Sequence, residues 1–525
     1  MQNNNNPDIS RVYDTPGDVE TLIGAGWNTV HNGTIGTTDN DIDSQMLVMG
    51  LESYSGLANF NMGSRSAIPR VPLSNQPNNQ AQSGNQHDWN DLLHGARSEV
   101  TAIQAFRTPG FSTGDAGGDT RDIAFAHFVL GVSMGDLALV YDSVSIVSPN
   151  DSTPVPPLVG YDSAMTFALS ELDTAIAIAS KPGLPALPAA WLNASSGFTS
   201  MSDFVQLAHS FKARFRAMVA RTPAERAKVN WAAVIADAKA GITKDYDINL
   251  DGIAWDIANF GNHYRFDTWH SMPTPIIGMA DTSGAYSAWL ATPFGDRQEF
   301  LIETPDKRFP SGATRAAQNA SSPPTPDLDT GPYFKNRPVG DDRPVATWAA
   351  SEYDYYRFQK LYDDGDIGPF PFMTKAEIHL LQAEGDIRTG NMAEAAALID
   401  SSRIAKGGLP SLVAAGVTNL TTPVPGSDGV PGHSGCVPQV PQPPNFTSAA
   451  CGNLMEALKW EKRMEDAYTG YGMWYFDGRG WGDLPEGTPL EWPVPFEEMQ
   501  VRQQPFYDLG GIGGKEAAAK SDYGW

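Results

Sequence analysis

Four charged residues near the C-terminus are of the types that catalysis uses. Arg463, Glu465, Asp477 and Arg479 flank the turn Thr469-Gly470-Tyr471-Gly472 and the aromatic run Met473-Trp474-Tyr475-Phe476. Two carboxylates could serve as acid and base, and two guanidiniums could hold an oxyanion. The same residues also pair with one another, because arginines and carboxylates around a tight turn form charge-assisted hydrogen bonds that fix it. The structural reading is the stronger, and no catalytic residue is assigned.

A second set is Asp247, Asn249, Asp251 and Gly252, which matches the front of a calcium loop. The twelfth position would be Ala258, so the bidentate carboxylate is missing. The stretch reads as an Asx-rich turn, and no metal is assigned. The chain has no nucleotide-binding loop, zinc motif or nucleophile elbow, and His31, His94, His127 and His209 stand alone on helical segments. No cofactor is expected.

A third set suits recognition without chemistry. Tyr264, Trp269, Tyr286 and Trp289, with Arg65 from an earlier loop, would supply flat faces to stack on a sugar ring and a planar donor for its hydroxyls. Loops position such groups. The competing reading is that these rings plug a local core, since large aromatics dominate cores. Thirteen Trp and seventeen Tyr exceed what a core requires, so some are expected at the surface.

The 525 residues carry a net charge of −25, spread along the chain. That balance argues against long-range attraction to nucleic acid or an anionic membrane. The only cysteines, Cys436 and Cys451, share one loop-rich stretch. Their spacing fits a disulfide in an oxidising compartment, with two free thiols as the alternative.

The elements that must position these residues are mostly helical. Residues 1–14 read as a polar linker. The opening Met1-Gln2 and Asn3 to Asn6 look trimmed, with no basic-plus-apolar signal peptide. A helix starts at Asp14-Thr15-Pro16, with Val19, Leu22, Ile23, Trp27 and Val30 as its stripe. Further helices are expected over 44–57, 87–106, 120–140, 161–180, 202–219 and 231–241. The apolar run Ala124 to Tyr141 is interrupted by His127 and Asp136 and reads as a buried helix, not a membrane span. Helical periodicity is lost from 245 to 352, where Gly, Pro and aromatics dominate. It resumes after an extended piece at 353–358, with helices over 375–388 and 392–403. Ala383, Gly390 and Ala395 are placed where two antiparallel helices would approach closely, an arrangement that resembles a tetratricopeptide hairpin. A charged amphipathic helix with Leu454, Leu458 and Ala467 then leads into the C-terminal turn.

The C-terminal order, Glu461-x-Arg463-x-Glu465, then glycines, then Trp474-x-x-Asp477-x-Arg479, then Gly487-Thr488 and Pro493-x-Pro495, resembles the signature of the SusD/RagB family. The Asp18-Val19-Glu20 helix, the Phe211-Lys212-Ala213-Arg214 helix and the 373–390 hairpin agree with it. Glu461-Lys462-Arg463 departs from the Glu-Arg of many members, and Tyr471-Gly472 stands where many have Gly-x-Arg. The resemblance covers nearly the whole chain. It implies a mostly α fold: a tetratricopeptide-like scaffold at 15–244, a loop-rich ligand-presenting insert at 245–352, and the hairpin and signature at 353–525 packed with the scaffold.

It also implies a function. Family members are outer-membrane, surface-facing lipoproteins that capture nutrients such as oligosaccharides for a SusC-like TonB-dependent transporter. Capture involves no chemistry, so the chain is expected not to be an enzyme. The anchor cysteine usual in the family is missing from this sequence. Two other classes stay in view: an all-helical glycoside-processing enzyme, which needs paired carboxylates in an aromatic cleft, and an adhesive surface protein with a flat apolar face.

Overall fold

The helices of this chain begin where a proline or a polar side chain can open them. The computed structural model describes residues 15–36, 41–56, 62–79, 82–151, 153, 155–195, 197–257, 270–323, 331–340 and 348–525. Helix α1 is Pro16–His31, α2 Ile42–Met49, α3 Gln82–Phe106, α4 Ala116–Val140, α5 Tyr161–Ala179, α6 Met201–Met218 and α7 Trp231–Lys239. Asp41, Asp115, Ser200 and Asn230 each accept a backbone N–H of the first turn at 2.9–3.2 Å, satisfying donors that have no partner inside the helix. Later come α8 (Lys375–Thr389), α9 (Met392–Ala405), α10 (Leu454–Asp466) and α11 (Met473–Trp481).

Each helix packs on the next in sequence or nearly so: α1 on α3, α3 on α4, and so on through α7, which packs on α8; α8 then holds both α9 and α10. The result is a mostly α, tetratricopeptide-like scaffold. Between α7 and α8 the chain leaves on β1 (Tyr246–Asp251) and returns on β2 (Ile367–Met373), paired antiparallel with Tyr246 opposite Met373 and Asp251 opposite Ile367. Short helices at Thr274–Ile277, Ala285–Ala291 and Arg315–Ser321 lie within this loop-rich insert, with a two-stranded pairing of Phe334–Asn336 and Tyr353–Tyr355.

Some boundaries differ from the sequence reading. Helix α2 stops at Met49, because Gly50 caps it and Leu51 turns left-handed at φ 57°; Leu57 lies outside the described residues. Helices α3 and α4 start earlier than expected. The aromatic run after the glycine turn is itself a helix, α11, with all nine residues buried, so it lacks a polar face to reveal its period. In the α8/α9 hairpin, Ala383 and Ala395 are fully buried. Gly390 has a different role from the one its position suggested: its φ is 88° and a Cβ there would meet nothing within 4 Å, so the left-handed C-cap requires it. The close approach is at Gly385, where a Cβ would sit 2.7 Å from Ile235 of α7.

The core is continuous from Val19 to Tyr523. Trp27 is its hub, with Phe128, Phe211 and Phe372 centred within 5.7 Å and Tyr246 at 6.1 Å, which joins α1, α4 and α6 to the β1/β2 ladder. Helix α4 has the length and hydropathy of a membrane span, yet 94% of its most apolar window is buried inside the protein. A satellite core under α8, α9 and α10 includes Cys436, which is disulfide-bonded to Cys451. With a sequence separation of 15, that closure stabilises the fold by about 3 kcal/mol on a chain-entropy basis.

Glu99 of α3 is fully buried, and neither carboxylate oxygen finds a hydrogen bond among the described residues. Burial pushes its pKa well above the ordinary value, so the folded chain keeps a proton that the unfolded chain releases above about pH 4.3. Stability contributed by the neutral form is therefore complete in acid and falls as pH rises. Glu99→Gln cannot titrate, so its melting temperature relative to wild type should climb between pH 4 and pH 8; a pH-independent difference in calorimetric scans would show that Glu99 is ionised in the fold.

Candidate functional site

The charged signature residues are placed in the interior. Arg463, Glu465, Asp477 and Arg479 are each at most 5% exposed. They pair with distant segments more than with one another. Arg308, from the insert, donates to Glu461 at 2.9 and 3.1 Å, to Glu465 at 3.0 Å and to Asp306 at 2.7 and 2.9 Å. Trp460 Nε1 donates to Asp306 at 3.0 Å. Burial works against the charged guanidinium, but Asp306 and Glu461 hold its pKa well above the ordinary arginine value.

Asp477 accepts from Arg226 at 2.9 Å and meets Lys462 Nζ at 2.5 Å, while Arg226 also binds Glu384 at 2.6 and 3.0 Å. Burial raises the Glu384 pKa, yet Arg226 outweighs it and brings the value to about 2. Arg463 pairs with Asp483 at 2.5 Å. Arg479 donates to the carbonyls of Leu490, Leu139 and Met218 at 2.7–3.1 Å. Groups buried and paired in this way hold segments together and have no open face for a substrate.

The calcium-like stretch lies on β1, with Asp247, Asn249 and Asp251 alternating with the buried Tyr246, Ile248 and Leu250. Asp251 Oδ1 accepts the N–H groups of Ile253, Ala254 and Trp255 at 2.8–2.9 Å. Its carboxylate closes an Asx turn, and these backbone donors hold its pKa below the usual range.

Of the residues chosen for ligand recognition, Tyr264 and Trp269 lie outside the described residues. Tyr286 and Trp289 come together on the Ala285–Ala291 helix, stacked 5.8 Å apart at 15°. Both are buried, at 1% and 4% exposure, and Tyr286 donates to the Pro275 carbonyl at 2.7 Å. Arg65 is buried elsewhere, donating to Gln45 at 3.1 Å and the Pro72 carbonyl at 3.4 Å; burial lowers its pKa to about 10. These three therefore do not face solvent.

A cavity of about 400 Å³, within the size range of small-molecule sites, roughly 300–1,000 Å³, lies at the end of the Ala285–Ala291 helix, where Leu290 lines it. The insert contributes Leu290, Phe294 and Arg297; the loop after Arg65 contributes Ile68 and Pro69; the disulfide loop contributes Asn445 and Phe446; the C-terminal segment contributes Glu486, Lys520 and Trp525 among others. Phe294 is 43% exposed. Phe446 stands in a left-handed backbone conformation at φ 52°, a strain that an aromatic residue adopts only where surrounding structure enforces it. Arg297 lies 4.4 Å over the Trp289 ring. Its Nε donates to Thr292 O and its Nη2 to Leu290 O, both at 3.1 Å. The indole nitrogen of Trp525 is buried without an acceptor among the described residues.

Sequence reasoning selected none of Phe294, Arg297, Phe446, Lys520 and Trp525 for the site. The readable signals were aromatics at turn residues: Pro293-Phe294, Pro444-Asn445-Phe446 and Tyr523-Gly524-Trp525.

No protein-family model matches the sequence, and no curated protein matches it. Solved structures do. A SusD superfamily protein from Parabacteroides distasonis ATCC 8503 is 11% identical, with 94% of this chain and 98% of that one covered and a TM-score of 0.57. A SusD homolog from the same organism is 14% identical, covering 88% and 84%, with a TM-score of 0.56. A SusD superfamily protein from Bacteroides thetaiotaomicron VPI-5482 is 13% identical, covering 94% and 98%, with a TM-score of 0.51. The chain has the SusD-like fold over most of its length.

Arg308 supplies the test of the buried lattice. Arg308→Met strands Asp306, Glu461 and Glu465 in the interior, which should cost about 3–5 kcal/mol in urea unfolding. The insert should become the first segment cut by limited proteolysis. Unchanged stability would mean that Arg308 does not anchor the insert.

Proposed function

We propose that this protein is a surface nutrient-binding protein that captures an oligosaccharide and passes it to a TonB-dependent outer-membrane transporter. The observation that carries this reading is the cavity where insert, disulfide loop and C-terminal segment meet. It offers the exposed ring of Phe294, the strained Phe446 and polar donors within one small volume. Flat faces with a few convergent donors are what a pyranose needs, since its C–H faces are apolar and its hydroxyls are not. The SusD-like fold supports a carrier role, and with it an outer-membrane, surface-facing location beside a SusC-like partner.

Glu486 is the single carboxylate among the cavity's described lining residues. Glycoside hydrolysis by the usual route needs two, about 5–9.5 Å apart. Capture without turnover is therefore the better reading of this site. The aromatics Tyr264 and Trp269 stay within the proposal as further stacking surfaces.

A glycan-array screen with calorimetric follow-up tests it. Wild type should bind at least one oligosaccharide saturably without cleaving it. Phe294→Ala and Phe446→Ala should each weaken binding by about tenfold, the effect of truncating an aromatic anchor by roughly 1.4 kcal/mol, with the circular dichroism of the helices unchanged. Cleavage products would move the assignment to an enzyme. If no glycan binds, the carbohydrate assignment fails and peptides become the next ligands to screen.

A further inference from the structure

Two cationic side chains, Arg297 and Lys520, line the cavity beside one acidic side chain, Glu486, in a chain whose net charge is −25. Neither cation has a carboxylate partner among the described residues. The Arg297 guanidinium uses Nε and Nη2 on backbone carbonyls and stacks on Trp289, which leaves its Nη1 edge without an acceptor among the described residues. The Lys520 ammonium stands 5.6 Å over the Phe446 ring. Behind the Ile68-Pro69 wall, the flanking Arg65 and Arg70 are buried and likewise bind only neutral oxygens: Gln45, Thr488 and backbone carbonyls.

Other buried arginines, Arg214, Arg226 and Arg308, take carboxylates at 2.6–3.1 Å, while Arg479 is held on backbone carbonyls. Isolated cations in or beside a low-dielectric site cost free energy unless something of opposite charge arrives. Consistent with this, burial lowers the Arg297 pKa, as it does for Arg65 and Arg70.

We infer that the cavity selects sugars bearing an oxyanion, a carboxylate or a sulfate on the ring, with Arg297 and Lys520 as its two counter-charges. The inference rests on the capture reading above and narrows its ligand class. Arg297 is held in place by its two carbonyls and the indole beneath it. Its free edge therefore presents two parallel N–H donors of fixed direction, a match for one oxyanion group. Lys520 supplies a mobile point charge on the other side. Phe294 and Phe446 take the ring faces.

Paired ligands separate charge from shape. Oligogalacturonide and its full methyl ester share a backbone and differ in carboxylate charge; a sulfated carrageenan oligosaccharide and a neutral agarose oligosaccharide make the same comparison for sulfate. By titration calorimetry, wild type should bind the anionic member of at least one pair about tenfold or more tighter than its neutral counterpart, the range of a charge-assisted hydrogen bond. The pair that discriminates identifies the oxyanion. Arg297→Gln should bring the two members of that pair to near equality. Lys520→Gln, at an exposed position that cannot disturb the fold, should reduce the preference by several-fold.

If wild type binds neutral and anionic members equally, or prefers the neutral ones, the inference is overturned while capture stands. If the preference survives both substitutions, these cations are not its source and the inference is again overturned. If none of the four binds but another neutral glycan on the array does, the oxyanion requirement is wrong. If no glycan of any kind binds, the capture reading itself has failed, and this inference fails with it.

Discussion

Charge taken out of water must be paired, and that requirement organises this fold. Helix α10 is buried along most of its length although Lys459, Glu461, Lys462, Arg463 and Glu465 lie on it. Single ions in such a place would each cost several kcal/mol. They are tolerated because each counter-charge arrives from a defined direction: Arg308 from the insert, Asp477 from α11, Asp483 from the segment beyond α11. Arg226 extends the lattice to Glu384 of α8. Geometry follows from this. Four segments far apart in sequence share one arrangement, because any slip of one leaves an unpaired ion in the interior.

The lattice divides the molecule into parts with different freedoms. The insert leaves and returns through the β1/β2 ladder and is fixed again at Arg308, so its frame is rigid at both places. The cavity lies beyond these anchors, where loops from the insert, the disulfide region and the C-terminal segment converge. None of Phe294, Phe446 or Lys520 takes part in the buried ion pairs. Their types can therefore change without touching what holds the fold, which is the condition under which one scaffold serves many ligands.

The sequence was most informative where one element decides its own structure. Apolar stripes and caps made the helices legible, and the loss of periodicity made the insert legible. It was least informative where the decisive partner is distant. The charged face of α10 does not reveal its partner in the insert, because Arg308 lies 153 residues from Glu461 and no local pattern announces that pairing. Gly390 and Gly385 show the same limit on a smaller scale: composition marks both as small, but only packing tells a backbone requirement from a contact. Tyr286 and Trp289 are aromatic in a loop-rich region, which suggested exposure. In fact a region poor in helices needs its own core, and the largest rings fill it. The rings that remain at the surface sit one turn further on, at proline-flanked positions such as Phe294, which carry no periodic signal.

The protein's overall charge and the cavity's local charge act over different distances. At physiological ionic strength the Debye length is about 8 Å, so the repulsion that the many surface acids exert on an anion is felt mainly during approach. Inside the cavity, Arg297 is half-buried on an indole and its field is screened much less. Selection of an anion would therefore operate at contact, through the off-rate, with little help from steering. Added salt then has two opposed effects. It screens the repulsion that slows encounter, and it weakens the pairing that prolongs residence. Sites on basic surfaces lack this compensation, because there both effects have the same sign. A cationic cavity in an acidic protein can thus hold an anionic ligand across a wide range of ionic strength while leaving polyanions such as nucleic acid repelled from the rest of its surface.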